Sequence, residues 1–140
     1  MMFRYATLDD VALLAKLNLQ LIRDQGHRNP MDESELRDRM HGWLAAEQYE
    51  AVLLERAEPV GYALYRRLPE FVHLRQFFIS PPFRRQGLGR AALAWLRGNA
   101  WADASRVRIE VLAGNAAGIA FWRSVGFVDY GFIMESGCDP

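Results

Sequence analysis

The sequence predicts one α/β domain in which helices cover both faces of a mixed, mostly antiparallel sheet. Its 140 residues are enough for one well-buried core and too few for two. Segments of helical period alternate with segments of strand period in the order β-α-α-β-β-β-α-β-α-β. Because no repeat, linker or low-complexity segment divides the chain, we expect a single domain over residues 1–140.

The N-terminal part predicts a short strand followed by two helices. Thr7 and Asp10 form a capping-box pattern before apolar residues at helical spacing, which predicts a helix over about residues 8–25. Asp32 and Glu35 repeat the pattern and predict the start of a second helix. A polar, glycine-containing segment separates the two helices.

From Tyr49 onward the apolar period changes to that of strands. Three runs, at about residues 51–55, 60–65 and 72–79, predict an antiparallel meander. Pro81 and Pro82 follow the third run, and neither can donate to a strand ladder. The rest of the chain predicts a helix after Gly87, a strand over 107–111, a helix from Asn115 to Val125 and a final strand over about 127–135.

Composition excludes several classes of protein. The chain is 51% hydrophobic and 24% charged, which is typical of globular domains and not of disordered or collagen-like chains. No apolar stretch approaches the roughly 20 residues that a bilayer requires, and residues 1–7 do not begin a signal peptide. We therefore expect a cytoplasmic protein with no membrane partner. Cys138 is the only cysteine, which excludes an internal disulfide and a cysteine metal site.

The charges cancel overall but are unevenly distributed. Seventeen basic and seventeen acidic residues leave no global field for a nucleic acid, so we expect no nucleic-acid partner. Residues 66–90 contain six arginines and one glutamate, a net charge of +5. This local patch favours one anionic small molecule, and solvated arginines explain it equally well.

The sharpest motif runs from Arg84 to Arg90, between a strand and a helix. Gly87 and Gly89 permit the backbone to approach a ligand closely, and the N–H groups at the helix start converge on an anion. Arg84, Arg85 and Arg90 add positive charge suited to a phosphate or pyrophosphate. A glycine turn with solvated arginines is the structural alternative.

Two nucleotide-binding motifs fit this segment less well. Residues 87–92 satisfy a dinucleotide fingerprint and Glu110 follows about 20 residues later, but residues 80–86, two of them prolines, separate the first glycine from its strand. A Walker A loop needs a Gly-Lys-Ser/Thr ending, and Lys16 is the only lysine.

A second motif, from Asn115 to Phe127, follows the glycine loop. Arg84-x-x-Gly87-x-Gly89 and this Asn…Gly-Phe segment together resemble the GNAT superfamily of acetyl-CoA-dependent N-acetyltransferases. The resemblance implies a GNAT-like fold and transfer of acetyl from acetyl-CoA to a primary amine of a small molecule or peptide. A catalytically impaired acyl-CoA-binding or sensing module is the alternative.

The resemblance also implies where acetyl-CoA binds. The strands ending at Ile79 and near Val111 would be parallel neighbours that splay apart and receive the pantetheine arm. Loop amides would hold the pyrophosphate, and Asn115 would contact pantetheine or simply cap its helix. No metal is required. The residues expected to bind acetyl-CoA are Phe77, Phe78, Ile79, Arg84, Arg85, Gln86, Gly87, Leu88, Gly89, Arg90, Asn115 and Trp122.

For the chemistry, the resemblance implies direct attack by a neutral amine, which requires a base to deprotonate the ammonium. Glu110 matches a position that serves as the base in some relatives, and it is our candidate catalytic residue. The structural alternative is a partly exposed carboxylate that pairs with Arg75 or another cation. His27 and His73 are further candidates for a base that acts through water.

Two departures from the family pattern weaken this mechanism. The strand before the glycine loop, residues 73–79, contains no carboxylate where many relatives have one. Trp122 stands where many relatives have a tyrosine, and an indole N–H cannot supply a proton near neutral pH. Trp122 would then serve packing, and the thiolate would leave without a dedicated acid.

The acceptor and the oligomeric state have weaker signals. In relatives the first two helices and their loop shape the acceptor site. Residues 9–58 contain eleven acidic and six basic residues, which favours a cationic acceptor such as a polyamine, aminoglycoside or peptide amine, or equally a solvated surface. The final strand, with Tyr130 and Phe132, favours a homodimer that pairs across a twofold axis.

Overall fold

A computed structural model describes residues 1–26 and 28–139. It contains a five-stranded sheet and four α-helices within those residues. Their bounds are β1 Met2–Tyr5, α1 Val11–Gln25, α2 Glu33–Ala45, β2 Glu50–Glu55, β3 Pro59–Arg67, β4 Val72–Ile79, α3 Leu88–Gly98, β5 Val107–Ile109 and α4 Ala116–Ser124.

The sheet confirms the predicted fold class. Its strands lie in the order β1-β2-β3-β4-β5. Neighbours from β1 to β4 are antiparallel, whereas β4 and β5 are parallel. The sheet is therefore mixed and mostly antiparallel, as the sequence predicts.

Helices cover both faces of this sheet. On one face, α1 and α2 bury Leu14 and Met40 against a core that includes Leu53 and Tyr62. On the other face, α3 packs Leu88 and other apolar residues against Leu54 and its neighbours. Alternate residues of each strand point to opposite faces, so the short apolar runs of β2 and β3 supply both cores.

Local signals position the first two helices. The capping box of Thr7 and Asp10 precedes α1 through a short 3-10 turn, and Gly26 ends the helix in the left-handed region at φ 64°. Asp32 and Glu35 form the second box, in which Glu35 N donates to Asp32 Oδ1 at 2.8 Å. The sequence thus predicts both helix starts, apart from the 3-10 turn before α1.

An ion pair fixes β1 to the start of α1. Both terminal nitrogens of Arg4 donate to Asp10, at 2.8 and 2.9 Å, and Arg4 Nε donates to Glu55 on β2. Asp10 is buried, and the hydrogen bonds from Arg4 lower the pKa of its carboxyl. This carboxylate therefore serves the fold and is not available to a ligand.

A β-bulge interrupts the pairing of β3 with β4. Leu64 pairs with Gln76 but the next residue, Tyr65, pairs with Leu74, so Arg75 is the extra residue on β4. A bulge bends its strand and increases the local twist. The sequence pattern gives no sign of this bulge, because it depends on the register between two strands.

Residues 111–139 form a separate compact unit, and here one prediction is wrong. Residues 127–139 contain no strand among the described residues, although a final strand was expected over 127–135. Tyr130 and Phe132 are 80% and 86% exposed. An alternating apolar pattern becomes a strand only where a neighbour accepts its backbone hydrogen bonds, and this segment has no paired neighbour in the described part of the chain. The expected dimer through this strand loses its basis.

Two further features complete the fold. β5 ends at Ile109 and not at residue 111, so Glu110 lies just beyond it. No helix within the described ranges is both long and apolar enough to span a membrane.

Substitution of Gly61 tests whether β3 approaches the end of β4 too closely to accommodate a side chain at this position. A Cβ added there would collide with the carbonyl oxygen of Phe78. Gly61→Ala should therefore reduce the free energy of unfolding by about 1–3 kcal/mol, measured by urea denaturation. Gly42→Ala, in open space on α2, is the matched control and should raise it by about 0.5–1 kcal/mol. Equal stability of Gly61→Ala and the native protein would contradict the observed packing.

Candidate active site

The site begins where β4 separates from β5. The two strands pair over only three residues of each strand, from Val72↔Val107 to Leu74↔Ile109, whereas β4 continues to Ile79. Pairing with β5 ends immediately before the bulge residue Arg75. The second half of β4 therefore pairs with β3 on one side and has no β5 residue on the other.

The three predicted β4 residues face opposite sides of the sheet. Phe78 is 2% exposed and belongs to the core beneath α1 and α2. Phe77 and Ile79 are half-buried and pack on the opposite face, against the cluster that contains Leu88 and Ala92. The side chain of Phe78 is committed to the core and its carbonyl oxygen faces Gly61 of β3, whereas Phe77 and Ile79 line the face that also carries the glycine loop.

The glycine loop turns directly from the end of β4 into α3. Arg85 and Gly87 both have positive φ, at 62° and 75°, and Gly87 is the N-cap of α3. Alternating backbone handedness of this kind directs successive N–H groups to one concave side, which suits an anion. Arg85 has a side chain in a conformation that glycine prefers, and such strain is concentrated at functional sites.

The first turn of α3 contains backbone N–H groups that can donate hydrogen bonds to a ligand. Among described residues no side chain caps it, and the first helical hydrogen bond runs from Ala91 N to Gly87 O at 3.0 Å. The N–H groups of Leu88 and Gly89 precede this bond and have no partner within the helix. Leu88 anchors the turn with a side chain only 6% exposed. Gly89 lies inside the first helical turn without positive φ, so the two glycines differ: only Gly87 is required by its conformation.

Arg84 is held in place. Its guanidinium binds Asp24 near the end of α1 at 2.7 and 3.3 Å, and its Nε donates to the carbonyl of Ile79 at 2.8 Å. The expected mobile charge is therefore neutralised, and Arg84 connects β4, the loop and α1. The other two arginines of the loop, Arg85 and Arg90, are exposed.

One basic residue near the loop has no local signal in the sequence. Arg56, in the turn between β2 and β3, donates from Nη1 to Gln86 Oε1 at 2.8 Å. Gln86 also donates to the carbonyl of Pro82 at 3.4 Å. Arg56 is separated from the loop by 30 residues, so only the fold brings its charge there.

Comparison with known proteins now decides the family. The family profile of the Acetyltransferase (GNAT) family matches residues 15–127. This chain belongs to the GNAT acetyltransferase family. None of the curated protein sequences matches it.

Solved structures support the same fold. A possible acetyltransferase from Clostridium difficile 630 superposes with a TM-score of 0.80 at 17% identity, covering 97% of this chain and 95% of that one. A predicted acetyltransferase with acetyl-CoA from Clostridium acetobutylicum gives 0.78 at 17% identity, with the same coverage. A ribosomal-protein-alanine N-acetyltransferase from Brucella melitensis biovar Abortus 2308 gives 0.78 at 14% identity, covering 97% and 99%.

In this GNAT protein Glu110 lies directly after β5, at the point where the pairing of β5 with β4 ends. It follows Ile109, the last paired residue of β5, and its side chain is exposed. Within residues 1–26 and 28–139, Glu110 makes no ion pair within 4.0 Å. The alternative that pairs it with Arg75 is therefore not what the structure adopts.

The two histidine candidates differ in what can be said of them. His73 lies on β4, half-buried, with Arg66 of β3 and Arg108 of β5 as its register partners. His27 lies outside the described residues. The part of the chain that the structure describes contains no cluster of three or more histidine, cysteine or acidic residues able to hold a metal ion.

A neutral amide side chain, Gln76, follows the bulge residue Arg75 on β4. Gln76, next to the bulge, accepts a hydrogen bond from the hydroxyl of Tyr62 at 2.7 Å. Tyr62 is fully buried, and burial raises the pKa of its hydroxyl far above the ordinary value. This bond fixes the amide of Gln76, because its oxygen is the acceptor and its NH₂ group must point away.

The remaining predicted residues lie in the C-terminal unit. Asn115 is the N-cap of α4, and its Oδ1 accepts from Gly118 N at 3.0 Å. Trp122 packs edge-on against Phe127, with ring centroids 5.2 Å apart. Both residues therefore have structural roles of the kind that the sequence left open, and contact with a ligand stays a prediction.

Asn115 offers a test that separates the cap from ligand contact. Asn115→Ala removes the acceptor for Gly118 N–H and should destabilise α4 by about 1 kcal/mol, which is about a fivefold faster amide exchange at Gly118. Asn115→Asp retains a side-chain acceptor and should leave this exchange unchanged. Equal exchange in Asn115→Ala and native protein would exclude the cap as a stabilising interaction.

Proposed function

We propose that this protein transfers an acetyl group from acetyl-CoA to a primary amine by direct attack. The observation that carries the proposal is the end of β4–β5 pairing at the bulge, immediately upstream of a loop built for an anion. An extended arm with amide groups can add to β4 as a strand does. The phosphates at the other end of the same cofactor then reach the start of α3.

Each part of the cofactor has a complementary region. The backbone from Arg75 to Ile79 would bind the pantetheine arm, with Phe77 and Ile79 beside it. N–H groups of the loop from Arg85 to Gly89 would bind the pyrophosphate, with Arg85, Arg90 and Arg56 as surrounding charge. Arg84 acts as a positioning residue, because its bonds to Asp24 and Ile79 hold the loop against β4.

Glu110 is the proposed general base. The acceptor arrives as an ammonium, and Glu110 takes a proton from its nitrogen, directly or through water. The nitrogen then forms a bond to the acetyl carbonyl carbon, the carbon–sulfur bond breaks to release a thiolate, and the nitrogen loses its second proton to water, which leaves a neutral amide. Trp122 cannot protonate that thiolate, and a thiol with a pKa near 8.5 leaves without a dedicated acid.

A second candidate is an acyl-CoA-binding or sensing module that has lost turnover. It is favoured by two departures from the family pattern: residues 73–79 contain no carboxylate, and Trp122 stands in place of a tyrosine. The two functions are separated by free thiol release from acetyl-CoA in the presence of an amine panel. Binding without thiol release would favour the sensing module.

Gly89 tests the cofactor site. Gly89→Val places a branched side chain in the first turn of α3 and should abolish measurable acetyl-CoA binding in calorimetry, because the phosphates could no longer approach the backbone. Gly98→Val, at the other end of the same helix in open space, is the matched control and should bind normally. Unchanged affinity of a folded Gly89→Val protein would remove the pyrophosphate assignment.

Glu110 is tested by removing its charge. Glu110→Gln should lower kcat by roughly a hundredfold, with little change in acetyl-CoA affinity. The deficit should shrink at high pH, where the amine arrives already neutral. Glu70→Gln, an exposed residue before β4, is the control and should retain full activity. If Glu110→Gln keeps most activity at pH 7, the base is another residue and His73 or His27 is next to be tested.

A further inference from the structure

Two arginines share one tryptophan on the α1–α2 side of the sheet. The guanidinium carbon of Arg39, on α2, lies 4.5 Å from the ring centroid of Trp43, and that of Arg75, on β4, lies 4.9 Å from it. Arg75 also approaches Tyr49, whose hydroxyl accepts from Nη1 at 3.3 Å. We call Arg39, Trp43 and Arg75 the arginine pair site.

Neither arginine of this site has a carboxylate partner. Within the described ranges no acidic side chain lies within 4.0 Å of either guanidinium. Arg39 donates only to Asn18 Oδ1, at 3.2 Å, and its buried Nε has no partner. Asn18 is 1% exposed, and its Nδ2 is also without an acceptor. The structure therefore concentrates positive charge and unused donors at one point.

This arrangement is unfavourable without a ligand. Burial lowers the pKa of Arg39, and the neighbouring positive charge of Arg75 lowers it further. One guanidinium over Trp43 would suffice for cation–π packing, whereas the second adds repulsion between like charges. Elsewhere in the same unit Arg4, Arg67 and Arg84 each bind a carboxylate. Packing alone thus explains one arginine of the pair and not both.

Five of the eleven acidic residues in segment 9–58, which favoured a cationic acceptor, are committed to other contacts. Asp24 binds Arg84, and Glu50 binds Arg67. Asp10 and Glu55 bind Arg4, while Asp32 takes part in the capping box of α2. The acid-rich segment 9–58 therefore braces the fold, and the cationic acceptor that it suggested loses support.

The arginine pair site lies beside the proposed reaction centre. Arg75 is the bulge residue at which β4 leaves β5, and Gln76 follows it with its NH₂ group directed away from Tyr62. The four side chains here are those of Arg39, Trp43, Arg75 and Gln76. Each of them has a hydrogen-bond donor, and none of them is a carboxylate. A surface of this chemistry suits an oxyanion and rejects a second ammonium.

We propose that the acceptor amine carries an oxyanionic group, a carboxylate or a phosphate, which binds to Arg39 and Arg75 over Trp43 and so selects the substrate. This inference rests on the proposed acetyltransferase function and specifies its acceptor class. The oxyanion neutralises the arginine pair, and its distance from the amine sets which acceptors reach the thioester.

The first test is a set of matched amines. Alanylalanine is compared with its primary amide, and phosphoethanolamine with ethanolamine, as acceptors for acetyl-CoA. The native protein should prefer the anionic member of at least one pair by about tenfold or more in kcat/KM. Whichever pair shows the preference identifies carboxylate or phosphate as the recognised group. Equal or better turnover of both neutral members would overturn the inference.

Variants of Arg39 and Arg75 test whether these two arginines cause the preference for anionic amines. Arg75→Met and Arg39→Met retain an unbranched chain over Trp43 without its charge, and each should reduce the preference to near unity through a higher KM for the anionic amine. Arg37→Met, an exposed arginine on the same helix, is the matched control and should keep the preference. Because Arg75 is exposed, its variant tests the site even where Arg39→Met does not fold. A preference that survives Arg75→Met contradicts the assignment.

Direct binding separates this inference from the proposed function. The indole N–H resonance of Trp43, assigned with Trp43→Phe, is followed without acetyl-CoA during titration with N-acetylalanine, its amide, N-acetylphosphoethanolamine and N-acetylethanolamine. An anionic compound should shift it in the native protein and not in Arg75→Met. No shift with either anion overturns the inference, whereas an anion-dependent shift in a protein that fails to bind acetyl-CoA in calorimetry overturns the proposed function and retains only the anion site.

Discussion

β4 pairs with β3 along its length but with β5 only as far as Leu74, and the change occurs at Arg75, the extra residue of a β-bulge. The bulge lets β4 bend while β3 keeps it in the sheet. Backbone beyond the bulge then has no β5 residue to pair with, and the chain continues from this strand through a 3-10 turn to the glycine loop and α3. The proposed arm site, the loop and the arginine pair site all depend on this one irregularity.

Charge is distributed around this opening in two ways. Arginines that bind carboxylates hold elements together, as Arg84 does when it binds Asp24 and the end of β4. Within the described residues, Arg85 in the loop and Arg39 and Arg75 over Trp43 have no carboxylate partner, and an anion is proposed at both places. The net charge is zero, yet some arginines stabilise the fold through ion pairs while others lie where a ligand is proposed to bind.

Features set by neighbouring residues were predictable from the sequence, and those set by strand register were not. The capping box at Asp32 and the left-handed turn at Gly87 act within a few residues, so their elements appear where expected. The bulge at Arg75 and the ion pair of Arg84 require partners far along the chain. Trp43 has the spacing of a core residue, and only the fold shows that two arginines cover it. The prediction of a final strand was wrong because an alternating apolar pattern does not by itself supply a neighbouring strand to pair with.

The most direct measurement of the central claim is the backbone amide spectrum of the protein during titration with acetyl-CoA. If the pantetheine arm adds to β4, the amides of Phe77 and Ile79, which point away from β3, should show large shifts and slower hydrogen exchange, together with those from Arg85 to Gly89. Amides in the pairing of β1 with β2 should remain unchanged. Saturable binding that leaves the amides of Phe77 and Ile79 unperturbed would contradict the account, because the cofactor would then occupy another part of the molecule.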